Sequence, residues 1–489
     1  MSYFLFSLYV LSSFLLLAFG FHASVMIILF LRRRGQSREA DAAIEADFAT
    51  KGRHDHDYPF VTTQIPLFNE YNVAERVIQA VVAMDYPASR HEIQVLDDST
   101  DETQELTRRV VARLQTEGVN IVLRQRVDRT GYKAGALEAG LGEARGEFIA
   151  IFDSDFVPPA DFLKRTVAHL DAKPEVGLVQ ARWGHLNEED SPLTRAQGLG
   201  VDGHFVIEQI ARSRNGLFMN FCGTAGLWRK QTIIEAGGWQ HDTITEDLDL
   251  SYRAQLRGWT FYYLPDLVVP AELPPTYPAF KSQQYRWAKG SIQTARKILP
   301  SLWSACLPLK TKLEGTIHLL QYSIHLCMAI LALLVWPVHW VLQGEKLALY
   351  QSWIFIGLLI PATLGPSIAY FICLRQAHPA DWRTRFWRLG LLVFVGFGIC
   401  LSNARAVLAG LFSTDTTFVR TPKAGSSSTG LAYRLPRRWF PHFELTASFY
   451  CLASALWLAK AQRFEIVPFI LIYALGFAIV GGSSLGRIR

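Results

Sequence analysis

The run FIAIFDSDFVP (148–158) decides the fold: five apolar residues end abruptly in Asp153-Ser154-Asp155. A short apolar run closed by polar residues reads as a buried strand. A second run of the same form lies upstream in QVLDDSTDE (94–102), where the strand at 91–96 ends in Asp97-Asp98-Ser99. Residues 60–65 and 120–124 add two more strands, and 73–84, 104–117 and 134–144 carry helical patterns. Strands alternating with helices predict a mostly parallel α/β sheet covered on both faces. In such a sheet ligands bind beyond the carboxyl ends of the strands, and both acidic pairs fall there.

Two acids one residue apart sit comfortably at a strand end only if a cation joins them. Mg²⁺ or Mn²⁺ takes one or two carboxylates plus phosphate oxygens, and neutralises a departing diphosphate. An isolated Asp-x-Asp arises by chance about once in a chain of this length, and solvated loop acids or helix caps account for it equally well. Its weight comes from the strand-end position and from two further motifs. Thr245-Glu246-Asp247, with Asp249 close behind, follows Gly237-Gly238-Trp239. That string suits the first turn of a helix, where acids complement the dipole, and an acid there also serves as a base. Gln283-Gln284-Tyr285-Arg286-Trp287 is the most specific string, since Q-x-x-R-W is expected in about one of several tens of thousands of windows. Arg286 offers a fork to diphosphate and Trp287 an apolar face to a sugar ring, or an anchor for an interfacial helix.

The chain around this domain is of another kind. Over all 489 residues 50% are hydrophobic and 19% charged, which places part of the protein in lipid. The net charge of +6 fits Lys and Arg beside a bilayer, and no interleaved aromatic and basic patches point to nucleic acid. Six scattered cysteines form no C-x-x-C pair and no disulfide framework. Residues 3–31 are long enough for one transmembrane helix, and Arg32, Arg33 and Arg34 put its far end in the cytoplasm and the N-terminus outside.

The expected order is a transmembrane helix (1–34), a polar linker (35–57), the α/β domain (58–273) and basic amphipathic interface helices holding Q-x-x-R-W (274–312). Two transmembrane helices (313–375), an interfacial or re-entrant helix (385–412), a loop (413–442) and two more transmembrane helices (443–489) follow. The segment 385–412 is placed at the interface by charge: arginines and lysines flank it on both sides, and a crossing would put one set outside. Five crossings result, with the C-terminus inside.

Together these strings resemble the inverting nucleotide-sugar glycosyltransferases that include cellulose synthase, hyaluronan synthase and ceramide glucosyltransferase. The likeness is strongest to plant cellulose-synthase-like mannan and xyloglucan-backbone synthases. QIPLFNE (64–70), RTGYKAGAL (129–137), VQARW (179–183), NFCGTAG (220–226), ITEDLDLSYRAQLRGW (244–259) and QQYRWAKG (283–290) carry it beside the two acidic runs. The resemblance implies a cytoplasmic GT-A (Rossmann-like) domain joined to an α-helical transmembrane domain. It implies donor contacts from Glu70, Asp97, Asp98, Lys133, Asp153 and Asp155, with Mg²⁺ or Mn²⁺ held at Asp153 and Asp155. Asp247 matches the general base, beside Glu246, and Arg286 the diphosphate contact. Gln283, Trp287 and Cys222-Gly223-Thr224 match acceptor positions, although the plant synthases usually carry Asn where Cys222 stands. Phe418, Thr421 and Lys423 look like a cytoplasmic gating loop, and no cyclic-dinucleotide receptor module is expected to follow.

Two product classes follow from the resemblance. One is a processive synthase adding hexose from UDP-glucose or GDP-mannose to a β-glycan extruded through the membrane helices. The other is a transferase adding one sugar to a membrane lipid such as ceramide or diacylglycerol. A scaffold retaining an inactive domain is a third reading, against which the intact set of acids speaks.

Overall fold

The computed structural model describes residues 2–35, 38–50, 54–341, 347–417 and 439–486. Seven strands form one sheet: β1 (Val61–Leu67), β2 (His91–Asp97), β3 (Ile121–Arg124), β4 (Phe148–Ile151), β5 (Val176–His185), β6 (Gly226–Arg229) and β7 (Thr260–Ala271). Their order is β3-β2-β1-β4-β6-β5-β7. The first four are parallel, as the alternating pattern predicts, and β5 pairs with β7 in parallel. Only β6 runs against its neighbours, making the sheet mixed. It is the four-residue return of the chain after Cys222-Gly223-Thr224, and its pairing with β4 brings that segment beside Asp153.

The sheet is buried on both faces. Val61, Ile65, Val95, Ala150 and Val179 pack beneath one set of helices, and Leu96, Ile149, Ile151, Leu178 and Trp228 beneath the other. Such near-continuous apolar strands are expected of a sheet with two covered faces.

Residues read as a polar linker contain a helix, Arg38–Thr50. Phe48 enters the core, Glu45 pairs with Arg165 at 3.0 Å and Asp41 with Arg214 at 3.0 Å. The segment returns to the domain and packs on it, held largely by charge.

Four of the described helices are long and apolar enough to cross a membrane: Phe4–Arg33, Ser323–Val341, Gly357–Ala377 and Val467–Ser484. The helix Phe440–Lys460, at the expected crossing near 444–462, is not among them. Glu444 is buried and pairs with Lys281 at 2.6 Å. Trp382–Gly398 and Cys400–Phe412 form a pair bent by 47°, the geometry of a broken span or a re-entrant loop.

The basic stretch 274–312 is helical, as Tyr277–Ser304 and the start of Leu309–Leu320. Its charges differ from expectation, since most meet protein groups. Lys281 meets Glu444, Lys289 meets Asp415 at 3.3 Å, Arg296 donates to the Gly410 carbonyl at 3.1 Å, and Lys297 pairs with Asp249 at 3.0 Å. Tertiary packing claims a face that periodicity alone assigns to lipid. Phe418, Thr421 and Lys423 lie outside the described residues.

Candidate active site

The end of β2 is organised by its own acids. The Asp97 carboxylate is buried, accepting from Ser99 N–H at 2.9 Å and from the Thr107 hydroxyl at 2.6 Å. It ties the strand end to the helix Thr103–Thr116, and so holds the turn that carries Asp98. Asp98 takes a two-pronged bond from Arg126, at 3.0 and 2.5 Å. A cleft of about 310 Å³ opens there, lined by Leu96, Asp98, Arg126, Ala136 and Gly140 among others. Of the five acids assigned to the donor, only Asp98 borders this cleft. Arg126 escaped the sequence reading, although it ends the run Arg124-Gln125-Arg126 at the tip of β3, a strand-end place with charge opposite to Asp98. Glu70 is buried in the turn after β1, where its carbonyl accepts from Val73 and Ala74.

A second centre forms where β4 meets β6. Lys133, from the helix Tyr132–Glu143, lies 2.6 Å from Asp153 and 4.0 Å from Glu246, and donates to the Gly223 carbonyl at 2.9 Å. Thr224 accepts from Asp153 N–H at 2.9 Å. Gly223 has φ +84°, and a Cβ there would stand 3.1 Å from Asp247 Oδ2. Glycine suits both the left-handed backbone and the close approach. Glu246 and Asp247 open the helix Glu246–Leu256, with Asp247 Oδ1 accepting from Leu248 N–H at 2.8 Å. Asp249, third acid of the string, is buried with Arg253 and Lys297 and serves packing.

The helix Tyr277–Ser304 closes the centre. Thr276 caps it and Gln283, Arg286 and Trp287 share one face at i, i+3, i+4 spacing. Gly290 allows contact with the other helix start, since a Cβ would lie 2.5 Å from Thr245 Cγ2. Arg286 therefore stands in the field of Glu246, Asp153, Asp155 and Asp247. Burial lowers its pKa, and those four acids oppose the shift.

Burial also raises the carboxyls of Glu246 and Asp247, each further raised by a neighbouring acid, and Glu246 is pushed up to about 7. Burial pulls Lys133 down, but Asp153, Glu246 and Asp247 outweigh it and its pKa ends raised. Among the described residues no group of three or more His, Cys, Asp or Glu is placed to hold a metal ion. Asp155 is buried beside the centre and Asp153 is tied to Lys133. One or two carboxylates fit a divalent cation that arrives with a diphosphate and takes its remaining ligands from phosphate and water.

A parallel sheet ending in acids, crossed by one antiparallel return strand and closed by a carboxylate at a helix start, defines a GT-A glycosyltransferase. A solved mannosyltransferase from Pyrobaculum calidifontis, in complex with GDP-mannose and Mn²⁺, shares this fold at a TM-score of 0.51 and 20% identity, covering 83% of this chain and 100% of that one. Residues 59–290 match the family described as "Glycosyltransferase like family 2". The Arabidopsis thaliana protein named glucomannan 4-beta-mannosyltransferase 7 is 35% identical over 452 residues, 88% of this chain and 77% of that one. Glucomannan 4-beta-mannosyltransferase 1 of Cyamopsis tetragonoloba is 32% identical over 490 residues, 95% and 88% respectively. The chain belongs to glycosyltransferase family 2, alongside the plant cellulose-synthase-like synthases.

Proposed function

We propose that this protein is a processive membrane β-mannosyltransferase that moves mannose from GDP-mannose, with inversion, to the end of a growing β-1,4-linked glycan and passes the product across the membrane. The observation that carries the reading is the helix Tyr277–Ser304. Its first half brings Arg286 into the field of the acids, with Gln283 and Trp287 at i, i+3, i+4 spacing on the same face, and its second half packs along Cys400–Phe412 in the apolar helix bundle. Arg296 and Gln293 fasten the two by bonds to Gly410 and Ser413 carbonyls at 3.1 and 3.3 Å. A site built on a bundle helix delivers its product into the bundle, which suits a polymer that moves on after each addition. The names of the relatives point to mannose and to the 4-β linkage.

Asp98 and Arg126 border the nucleotide side, and Glu70 stands at the neighbouring strand end. Asp155, with Asp153, would hold Mg²⁺ or Mn²⁺, which when bound would supply positive charge against the diphosphate leaving group. Lys133 and Arg286 supply further positive charge. Asp247 accepts the proton of the acceptor hydroxyl, and its raised pKa brings it nearer the operating pH, where a base combines availability with strength. Asp153 helps raise it by like charge. Trp287, Gln283, Thr224 and Cys222 face the acceptor. Attack opposite the diphosphate turns an α-linked donor into a β-linked product. The α/β domain lies in the cytoplasm, with the N-terminus outside and the C-terminus inside.

Full-length protein in lipid nanodiscs, given radiolabelled GDP-mannose or UDP-glucose with Mn²⁺, tests this. The expected product comes from GDP-mannose, resists lipid extraction, exceeds oligosaccharide size and is cut by an endo-β-1,4-mannanase. A single chloroform-soluble glycolipid would replace the polymer reading with the lipid one.

A further inference from the structure

On the membrane side of Cys222 the chain makes one wide turn. Residues Gly203–Glu208 form a π-helix between the helices Pro192–Asp202 and Gln209–Arg214. Such turns inserted in α-helices are rare and are frequent at functional sites. This one sets His204 and Glu208 against each other, with His204 Nδ1 3.0 Å from Glu208 Oε2. The other ring nitrogen, Nε2, lies 3.6 Å from Cys222 Sγ. Phe205 meets the imidazole edge-on at 5.1 Å and holds its plane.

Both side chains are half-buried: that of Glu208 is 33% accessible and that of His204 24%. Tyr322 and Tyr370, from the helical bundle, lie close enough to feel the Glu208 charge, as does His22 of the first apolar helix. On the opposite side Cys222 leads directly into Gly223 and Asp247 Oδ2. The pair thus stands between the base and the helices that the product enters.

Neither residue has a task in the donor chemistry above, and the arrangement is specific. A carboxylate on Nδ1 fixes the plane of the ring and leaves Nε2 facing Cys222. Burial opposes ionisation of Glu208, but His204, Arg212 and His22 together outweigh it and hold the carboxyl down at about 2, so it stays charged. A ring nitrogen held in place beside a sugar path recognises a hydroxyl.

We infer that His204, oriented by Glu208, makes a hydrogen bond with a hydroxyl of the terminal acceptor hexose and so fixes the angle at which the reacting hydroxyl meets Asp247. No bond is made or broken at either residue. The inference rests on the glycan-extending reading above, and the test separates the two.

Full-length protein in nanodiscs is given GDP-mannose and Mn²⁺, and two products are measured. One is polymer; the other is free mannose, formed when water takes the acceptor's place and leaves GDP. His204→Ala is expected to lower polymer about ten-fold or more, with free mannose and the KM for GDP-mannose held within about two-fold. Glu208→Ala falls the same way by less, since it disturbs only orientation. His204→Gln keeps a hydrogen-bonding amide near the Nε2 position and recovers much of the polymer, which a merely misfolded site would not do. GDP affinity, measured on each variant, confirms an intact donor side. Normal polymer from His204→Ala, or loss of polymer and free mannose together in both His204 variants, would overturn the inference. A wild-type enzyme that makes no polymer overturns the glycan reading and this inference with it.

Discussion

At the end of β2, Asp97 and Asp98 are answered by the protein itself, through Ser99, Thr107 and Arg126. At the end of β4, Asp153 and Asp155 are joined by Glu246 and Asp247, and Lys133 and Arg286 are the cations drawn into the same field. Both strand ends carry two acids in apolar surroundings, yet the first is neutralised by the fold and the second keeps an excess of negative charge. Holding carboxylates together out of water costs free energy, since each disfavours the ionisation of the next. The excess makes sense where a cation and a proton must be taken up in each cycle. Paired acids at a strand end therefore mark a site only when their neighbours leave them unbalanced.

That contrast can be broken most sharply at Asp247. Asp247→Asn should lower transfer by about 10²–10⁴-fold while GDP-mannose still binds, measured by initial rate and by GDP-mannose affinity. A variant working near the normal rate would move the base elsewhere. Asp155→Asn comes next: about 10²-fold less activity, partly restored by raising Mn²⁺, because one protein ligand of a mostly phosphate-held ion is gone. A Mn²⁺ titration unchanged from wild type would deny Asp155 that role.

The pH profile supplies a third test. A base whose folded-state pKa is raised loses activity as pH falls through that raised value. With burial raising Asp247 and Asp153 adding to the shift, the acid limb of kcat/KM should lie above the usual carboxylate range. Glu246→Gln should leave that limb in place, since Asp153 is the acid that adds to the shift of Asp247. A limb that moves in this variant would make Glu246 the titrating base. The smallest effect belongs to β2. Asp97→Ala should cost about 1–3 kcal/mol of stability through two lost buried bonds, read by thermal unfolding, with the Mn²⁺ dependence unaltered. A changed Mn²⁺ dependence would erase the distinction between the two strand ends.

Much of this was legible in the sequence because strand ends announce themselves. The runs at 91–96 and 148–152 and the acids closing them lie where the structure has β2, β4 and their ends. The antiparallel β6 was not legible, since its direction is set by pairing with β4 and β5. The helix Arg38–Thr50 was hidden because it buries Asp41 alongside Phe48. Within the site, Glu246, Asp247 and Arg286 could be named but not their mutual field, which needs the 290–245 helix contact. Asp97 and Asp98 could not be told apart, because Thr107 and Arg126 are ten and twenty-eight residues away from them. His204 and Glu208 look like ordinary helix residues until a π turn aims them at Cys222.

The 28-residue helix Tyr277–Ser304 has a practical consequence for anyone dividing the gene. At about 1.5 Å per residue it runs roughly 42 Å, from the acids into the bundle. A soluble fragment cut at residue 273 would carry every strand and still lack Arg286 and Trp287. One cut after 290 would carry both on a helix stripped of the partners at Asp415 and Glu444 that hold it in place. Expression trials and crystallisation should therefore keep the chain whole in detergent or lipid, because no excision point separates a water-soluble enzyme from its membrane anchor.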